Sequence, residues 1–439
     1  MSTSRLTIQL KEWEHITPGE RGKKLEGVFL PMNAEVKDTV RALSASDKLH
    51  ISELREGLAL KATSYVGRIT LGNIQITIQP KITGTPLLRL LRYAYGLRQL
   101  ESFDDAEYSH EGQAFQDLLI HQLVVEINEL VARGLHRRYI RTDHELASPR
   151  GRIDVQKIAR QGGMTQATLP CTYHPRQEDC LINQVLLQGL HLASTLTNES
   201  TLHIRLDRLA HVFQESVSSI RLDHNALKQL HREMDRLNNA YLPAITIIEL
   251  LLEAEGISLD ENLPQMPLPG FLFDMNLFFQ ELLSRFLKEN LQEYTVQDQY
   301  KIRGMMAYDP AHNPNRRKAP EPRPDYMILQ QSEVVGILDA KYRDLWEHAL
   351  PAHMLYQLAI YALSQSGKVD AVILYPTVQA DAKEARIVLR DPLRQSTLAH
   401  VVLRPVNLLQ LDEVISRAEN ASTRRECIAL ARWLAFGGF

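Results

Sequence analysis

Hydrophobic and polar positions follow three different patterns along the chain. In residues 1–98 they mostly alternate with the two-residue period of β-strands, and two such runs flank Gly72 and Asn73, a pair typical of tight hairpins. In residues 99–255 apolar side chains recur every three or four positions, as on one face of a helix. In residues 256–439 strand and helix patterns alternate. The chain is therefore predicted to be an α/β protein with a β-rich N-terminal domain, a mainly helical middle region and a C-terminal α/β domain over these ranges.

The same periodicities predict individual elements. Helices are expected over residues 36–43, 87–95, 115–135, 186–196, 204–213, 227–252, 271–290 and 423–434, with one more opened by Pro351. Strands after the N-terminal domain are expected over residues 294–302, 371–375, 385–390 and 401–406. A proline- and glycine-rich linker over residues 257–269 is expected to precede the C-terminal domain.

The most informative stretch runs from Arg323 to Tyr342. Two short apolar runs separated by a polar turn predict a β-hairpin, and both strands carry charge. Because side chains alternate along a strand, Asp339 and Lys341 point to the same face, and Asp325 begins the partner strand. Buried charges are costly unless they are compensated, so such a cluster needs a bound ion or an opening to water.

Two carboxylates and an amine at one place suggest a particular chemistry. Aspartate oxygens are hard ligands that suit Mg²⁺, which keeps some of its waters when it is bound. A lysine beside the cation can orient an attacking hydroxide and stabilise the charge that develops on a phosphate. Hydrolysis of a phosphodiester requires these three groups.

Pro324-Asp325 followed by Asp339-Ala340-Lys341 resembles the motif of the PD-(D/E)xK nucleases, in its Asp-x-Lys form. A strand end with a salt bridge is the alternative interpretation. The resemblance implies a restriction-endonuclease-like fold for the C-terminal domain. It also implies that Asp325 and Asp339 hold Mg²⁺ and that Lys341 acts on the nucleophile or on the scissile phosphate.

Three further residues match features of these nucleases. Glu281 lies on the edge of the apolar face of the 271–290 helix, where the resemblance implies a third metal ligand; the alternative is a solvated glutamate. Gln357 and Tyr361 lie four residues apart on the helix that Pro351 opens. This Gln-x-x-x-Tyr pattern resembles the helix after the catalytic strand, which implies a role in supporting the site or the DNA strand. An ordinary helix with one polar flank has the same pattern.

Segments of the first half resemble McrC, the nuclease subunit of McrBC-type modification-dependent restriction systems. They are residues 76–82 with 88–94, residues 149–154, and Glu178-Asp179 followed by Asn183. The resemblance implies a partner, a McrB-type AAA+ GTPase that forms a hexameric ring and recognises double-stranded DNA containing modified cytosine such as 5-methylcytosine. The N-terminal domain would dock onto this ring. The chain has no Walker-type phosphate loop, which fits a division of labour in which the partner binds the nucleotide.

The overall charge does not indicate a nucleic-acid binder. Lys+Arg 50 against Asp+Glu 53 gives a formal net charge of -3, but a local basic patch is enough to contact DNA phosphates. One candidate is the basic run over residues 133–160, for which a solvated face is the alternative. The other is the proline-rich loop over residues 303–323, for which disorder is the alternative. Its candidate DNA-binding residues are Arg316, Arg317, Lys318 and Arg323.

Cysteine usage and the N-terminus suggest a cytoplasmic location. The three cysteines, Cys171, Cys180 and Cys427, form no C-x-x-C pair, and their odd number suits a reducing compartment. With His174 nearby they still lack a fourth zinc ligand, so the spacing does not favour a zinc site. The first residues lack the apolar core of a signal peptide, and no membrane partner is expected.

The sequence thus predicts a Mg²⁺-dependent endodeoxyribonuclease that belongs to a restriction system and that activates, and is activated by, a partner GTPase. Two alternatives stay open. One is a stand-alone repair or defence nuclease. The other is a catalytically silent adaptor of an AAA+ motor, in which the acidic cluster is structural.

Overall fold

The computed structural model describes residues 6–19, 25–31, 33–97, 115–160, 167–255, 270–364, 369–417 and 421–438. The chain divides into two units, one formed by Met1–Phe115 together with Leu272–Phe439 and the other by Gln116–Phe271. The predicted boundaries at residues 98/99 and 255/256, and the predicted linker, fall at or within segments outside the described residues, so the three-domain division stays a prediction. The N-terminal strands and the C-terminal α/β part belong to one unit.

The N-terminal part contains two small sheets. Its elements are β1 (Leu6–Lys11), β2 (His15–Ile16), α1 (Ala34–Ala45), β3 (Leu49–Leu54), β4 (Gly57–Ala62), β5 (Tyr65–Leu71), β6 (Ile74–Gln79) and α2 (Gly84–Tyr95). The predicted hairpin at Gly72 and Asn73 is confirmed, because β5 and β6 pair as antiparallel neighbours on either side of it. Gly72 has a φ of 62°, and an added Cβ would lie 2.6 Å from Pro31 Cγ, so the turn requires glycine. Strand β1 pairs with β6 in parallel.

The second unit is mainly helical. Its elements are α3 (Phe115–Ala132), β7 (Arg138–Tyr139), β8 (Thr142–Leu146), β9 (Arg152–Ile153), α4 (Val155–Arg160), β10 (Leu169–Tyr173), β11 (Arg176–Gln177), α5 (Leu181–Leu196), α6 (Ser200–Gln214), α7 (His224–Glu233) and α8 (Leu242–Ala254). The prediction of one helix over residues 227–252 is wrong, because α7 ends at Glu233 and α8 begins at Leu242. Pro243 lacks the N–H that a helix interior needs and is accommodated in the first turn of α8.

The C-terminal part is built on a six-stranded mixed sheet. Its elements are β12 (Gly270–Asp274), α9 (Met275–Asn290), β13 (Thr295–Asp298), β14 (Tyr326–Gln330), β15 (Glu333–Ala340), α10 (Ala352–Ser364), β16 (Ala371–Thr377), β17 (Ala385–Arg390), β18 (Thr397–Asn407), α11 (Leu408–Ser416) and α12 (Ala421–Phe436). The strand order is β13-β14-β15-β16-β18-β17, in which β15, β16 and β18 are parallel. The whole chain is therefore a mixed α/β protein with several sheets.

Two predicted elements of this part are corrected. The helix predicted over residues 271–290 begins at Met275, because the Asp274 side chain accepts a hydrogen bond from Asn276 N and caps the helix. The residues before it form β12, which joins the sheet of β1, β6 and β5. The strand predicted over residues 294–302 ends at Asp298, since Gln299 has a φ of 49° and leaves the extended conformation.

Helices α9 and α10 cover opposite faces of the central sheet. Tyr326 faces α9, where its hydroxyl donates to the Gln280 carbonyl at 2.7 Å. Met327 and Ile337 face the other side and pack in one buried cluster with Leu358 and Tyr361 of α10. Because neighbouring residues of a strand point to opposite faces, this arrangement decides which side chains of β14 and β15 approach which helix. None of the described helices is long and apolar enough to cross a membrane.

Candidate functional site

The predicted hairpin from Arg323 to Tyr342 is confirmed. Strands β14 and β15 are antiparallel, with Tyr326 opposite Leu338 and Met327 opposite Ile337. This register places Asp325, directly before β14, beside the end of β15. The backbone N–H of Ala340 donates to Asp325 Oδ2 at 2.8 Å and joins the two strand ends.

The hairpin brings together the three charged residues that the sequence singled out. The Nζ atom of Lys341 lies 2.9 Å from Asp339 Oδ2 and 4.0 Å from Asp325 Oδ2. Asp339 is 1% exposed and Asp325 is 6% exposed, whereas the Lys341 side chain is 24% exposed and reaches solvent. We call Asp325, Asp339 and Lys341 the Asp-Asp-Lys cluster.

Two glutamine side chains that sequence reasoning missed hold Asp325. Gln299 Nε2 donates to Asp325 Oδ1 at 2.8 Å, and Gln280 Nε2 donates to Oδ2 at 3.3 Å. Gln280 lies on α9, and Gln299 follows the end of β13, so the two donors come from different elements. No local pattern marks either glutamine, because their function depends on distant segments meeting. A buried carboxylate with several donors is held firmly in one orientation.

The predicted third metal ligand, Glu281, is not part of this cluster. It is exposed on α9, and its pKa is raised by partial burial of the carboxyl and then by the charge of Asp298, against the opposing effect of Lys288. Among the described residues, no group of three His, Cys, Asp or Glu side chains could hold a metal ion. The structure therefore brings together Asp325 and Asp339 but not Glu281, whose role as a metal ligand stays a prediction. The physical reason is that a helix turns by about 100° per residue, so Gln280 rather than Glu281 faces Asp325.

The electrostatics of the cluster follow from burial and mutual charge. Burial, and then the charge of Asp325, raise the pKa of Asp339 to about 6, against the opposing effect of Lys341. Burial also raises the pKa of Asp325, while Lys341 and the Ala340 N–H counteract this shift. Burial alone would lower the pKa of Lys341, but the two carboxylates raise it above its ordinary value, so the amine is a cation at neutral pH.

The carboxylate pair has features that suit a divalent cation. Asp339 Oδ1 is buried and accepts no hydrogen bond from the described residues. Two buried carboxylates with one positive charge between them leave a net negative charge in a place that desolvation disfavours. Hard oxygen ligands of this kind are those that Mg²⁺ prefers. The residues present therefore fit a magnesium ion held by Asp325 and Asp339.

Gln357 and Tyr361 lie on one face of α10, as predicted, and form a hydrogen-bonded pair. Gln357 Nε2 donates to the Tyr361 hydroxyl at 2.7 Å, and this hydroxyl donates to the Arg323 carbonyl at 2.8 Å. Tyr361 is buried, and its pKa is raised by burial and by the charge of Asp339. The pair thus anchors the backbone two residues before Asp325.

The two basic runs differ in how their charges are compensated. In the run over residues 133–160, five side chains form ion pairs with acids of the same unit. The pairs are Arg133–Glu129, Arg137–Glu178, Arg138–Glu233, Arg141–Asp143 and Lys157–Glu145. In the loop before β14, Arg316, Arg317, Lys318 and Arg323 are all exposed, and no ion pair to any of them occurs within the described part of the chain. Arg150, Arg152 and Arg160 of the first run also form no ion pair among the described residues, so uncompensated positive charge lies both there and in the loop that leads into Asp325.

Comparison with known proteins identifies the family. The model of the McrBC family, described as McrBC 5-methylcytosine restriction system component, matches residues 60–376. The chain belongs to this family, which confirms the resemblance seen in the sequence. No curated protein matches the chain.

Two solved structures are similar to the chain. One is a refined half-complex from a tetradecameric assembly of Thermococcus gammatolerans McrB AAA+ hexamers with bound McrC. A chain of that complex is 20% identical, with a TM-score of 0.60, over 97% of this chain and 100% of that chain, and therefore has the same fold. The other is a cryo-EM structure of the Thermococcus gammatolerans McrBC complex, 22% identical with a TM-score of 0.47 over 65% of this chain and 88% of that chain.

Proposed function

We propose that the chain is the DNA-cleaving subunit of a McrBC-type modification-dependent restriction system and that it hydrolyses DNA phosphodiesters with Mg²⁺. In this proposal the C-terminal part is a PD-(D/E)xK nuclease domain and the Asp-Asp-Lys cluster is its active site. The observation that carries the proposal is the position of Lys341 Nζ, 2.9 Å from one buried carboxylate and 4.0 Å from another, at the open end of the central strands.

Each residue of the cluster has a distinct task. When bound by Asp325 and Asp339, Mg²⁺ would supply Lewis-acid polarisation of a phosphoryl oxygen and activation of water. The Lys341 ammonium stabilises the negative charge that develops on the scissile phosphate, in a site where low polarity strengthens the effect. Gln280 and Gln299 keep the Asp325 carboxylate oriented, and Gln357 with Tyr361 supports the segment before it.

Substrate binding is assigned to the basic loop. Arg316, Arg317, Lys318 and Arg323 are exposed, and the last of them lies two residues before Asp325. Cations that are not compensated by neighbouring acids release counterions from DNA when they contact its phosphates, which gives affinity without sequence preference. The loop would therefore hold the backbone of double-stranded DNA next to the site of cleavage.

The proposed partner is a McrB-type AAA+ GTPase in a hexameric ring, which would read modified cytosine. The proposal is supported by the family of the chain and by its fold, which is shared with a chain from a complex of McrB AAA+ hexamers with bound McrC. We propose that the N-terminal part docks onto this ring. Target choice and translocation would then belong to the partner, and cleavage to this chain.

The decisive experiment is cleavage of a methylated plasmid with Mg²⁺, in the presence and absence of the partner GTPase. Asp339→Ala is expected to lower the cleavage rate at least about a hundredfold, because it removes a metal ligand. Glu333→Ala is the matched control, since Glu333 is an exposed acid on the same strand, and it is expected to cleave at the wild-type rate.

The two alternatives predict other results. A catalytically silent adaptor requires that the assembled complex cleaves equally well with Asp339→Ala and Lys341→Ala. A stand-alone nuclease requires cleavage with Mg²⁺ and no partner. Either result would replace the proposed function.

A further inference from the structure

The three residues that follow Lys341 each contact the N-terminal part of the chain. The Tyr342 hydroxyl donates to Glu12 Oε1 at 3.1 Å, across 330 positions of the sequence. The guanidinium of Arg343 lies 5.5 Å from the centroid of the Trp13 ring. Asp344 Oδ2 lies 3.4 Å from Lys81 Nζ. We call these residues the junction cluster: Glu12, Trp13, Lys81, Tyr342, Arg343 and Asp344.

The N-terminal members come from one edge of a sheet. Strands β1 and β6 are parallel, with Lys11 opposite Gln79, so the residues that follow them leave the sheet at the same edge. Glu12 N donates to the Gln79 carbonyl at 3.0 Å, and Glu12 Oε1 accepts a hydrogen bond from Lys81 N at 2.8 Å. Hydrogen bonds within the N-terminal part therefore hold Glu12 and Lys81 next to each other, independently of their contacts with the nuclease part.

The junction cluster is enclosed. Glu12 is 4% exposed, and Tyr342 and Asp344 are more deeply buried still. A second set of hydrogen bonds connects Tyr342 to the N-terminal part through Asn276. Tyr342 N donates to Asn276 Oδ1 at 3.3 Å, and Asn276 Nδ2 donates to Ser64 Oγ at 2.5 Å. Replacing buried ionic groups with apolar ones is often neutral or stabilising, so their use here favours a role in specifying geometry.

The geometry concerned is that of Lys341. Its backbone N–H donates to the Leu374 carbonyl at 3.0 Å, and the residue after it is held by the junction cluster. With the backbone fixed on both sides, the side chain has few ways to place Nζ near both carboxylates. A catalytic group must be held to within a fraction of an ångström, and its supporting residues provide this precision.

We propose that Glu12 and Lys81 are positioning residues for the nuclease site: they hold Tyr342 and Asp344, and so place Lys341 between Asp325 and Asp339. This inference rests on the proposed nuclease function and adds the N-terminal part to it. Neither residue touches the reacting atoms. A change in the N-terminal part therefore reaches the Asp-Asp-Lys cluster through the segment that follows Lys341.

The test uses the full chain with its partner GTPase, Mg²⁺ and methylated plasmid, and separates kcat from KM. Glu12→Ala and Lys81→Met are expected to lower kcat about ten- to hundredfold, because Lys341 loses its position. The KM for DNA, and DNA binding measured in EDTA, are expected to stay at the wild-type values. Glu12→Gln is expected to restore most of the rate, because its amide oxygen accepts the hydrogen bonds that Glu12 Oε1 accepts. Lys11→Met is the matched control, since Lys11 is an exposed lysine on the adjoining strand.

Three results would overturn the inference. One is wild-type cleavage by Glu12→Ala and Lys81→Met when Lys341→Ala is inactive, which would leave the nuclease function intact. Another is a Glu12→Gln variant as slow as Glu12→Ala, or a loss of rate that only follows the folded fraction measured by circular dichroism, because either would indicate a packing role. The third is normal cleavage by Lys341→Ala, which would remove the proposed function together with this inference.

Discussion

Two clusters in the same unit each contain two buried carboxylates and one lysine, and the junction cluster also contains Arg343. In the Asp-Asp-Lys cluster, the Lys341 ammonium lies within 4.0 Å of both carboxylates. In the junction cluster, Lys81 Nζ lies 3.4 Å from Asp344, while Glu12 accepts hydrogen bonds from a tyrosine hydroxyl and a backbone N–H. The acids and the lysine are alike in the two clusters, and the groups that they contact are different.

This difference separates a reactive site from a structural one. Both clusters contain buried polar atoms without a hydrogen-bond partner among the described residues, so these atoms do not separate them. The Lys341 side chain is 24% exposed, whereas the Lys81 side chain is 16% exposed and its Nζ atom is buried. The junction cluster is enclosed, and a neutral hydroxyl occupies the place beside Glu12. Access of the amine to solvent therefore indicates function more reliably than the presence of acids and a lysine. Four predictions test this comparison.

The largest effect is expected at Lys341. Lys341→Met should lower kcat about a hundred- to thousandfold, because it removes the cation that stabilises charge on the phosphate. Lys81→Met removes the corresponding lysine of the junction cluster and should cost less, since Lys81 acts only through Asp344. The measurement is single-turnover cleavage by the assembled complex. Equal losses in the two variants would remove the distinction between the clusters.

The contribution of the junction cluster to the free energy of unfolding should depend on pH. Burial raises the pKa of Glu12 from 4.5 to about 7, against the opposing effect of the hydrogen bond from Lys81 N–H. The folded state then binds more protons than the unfolded state between these values, so stability is lost as pH rises through this window. The expected loss is roughly 3 kcal/mol at about 1.4 kcal/mol per pKa unit.

Urea unfolding of the wild type and of Glu12→Gln at pH 5 and pH 8 measures this loss of stability. The stability of the wild type should fall relative to that of Glu12→Gln as pH rises. Glu56→Gln, which changes an exposed glutamate, should follow the wild type at both pH values. A constant difference between the wild type and Glu12→Gln would show that Glu12 does not titrate in this window.

The basic loop should make a smaller, salt-dependent contribution to DNA affinity. Replacing Arg316, Arg317 and Lys318 together with alanine should weaken DNA binding about tenfold or more at low salt. It should also reduce the slope of log affinity against log salt by up to about 3, because each phosphate contact contributes about 0.9. The slope can be measured by titration of DNA in EDTA.

The matched control for the loop is a triple alanine variant at Arg137, Arg138 and Arg141, whose charges are already paired with acids. This variant should retain the wild-type slope. If the control changed the slope and the loop variant did not, the second unit would be the DNA-binding part.

The smallest effect is expected at Tyr361. Tyr361→Phe removes the hydrogen bond to the Arg323 carbonyl and should lower the free energy of unfolding by about 1 kcal/mol. Tyr356→Phe is the control, because Tyr356 lies on the same helix and is 66% exposed. Chemical denaturation measures both. An unchanged stability of Tyr361→Phe would mean that the Gln357–Tyr361 pair does not anchor the segment before Asp325.

Local patterns predicted much of the nuclease part. The alternation of apolar and charged residues placed Asp339 and Lys341 on one face, and the polar turn predicted the hairpin that brings Asp325 near them. The spacing of Gln357 and Tyr361 predicted their shared face on α10. These features depend on neighbours within one strand, one hairpin or one helix, where the geometry of the element alone decides the direction of a side chain.

Local patterns failed where distant segments meet. Glu281 matched its expected position by pattern, but the rotation of α9 turned Gln280 toward Asp325. The apolar residues before Met275 have a composition that suits a helix, yet they form β12 because the N-terminal sheet offers them an edge. The run over residues 227–252 has helical spacing throughout, but α7 ends at Glu233 and α8 begins at Leu242. Pro243 fits the first turn of α8 and would not fit the interior of one continuous helix.

The sequence by itself determined the family, the hairpin and the three charged residues of the Asp-Asp-Lys cluster, because these depend on short-range alternation and on a compact motif. Only the tertiary structure decided that Gln280 and Gln299 hold Asp325 and that Glu12 meets Tyr342. It also decided that five cations of residues 133–160 pair with acids, whereas the four loop cations form no ion pair among the described residues. These contacts join segments far apart in the chain, and their partners are chosen by how the sheets and helices pack, which no local period encodes.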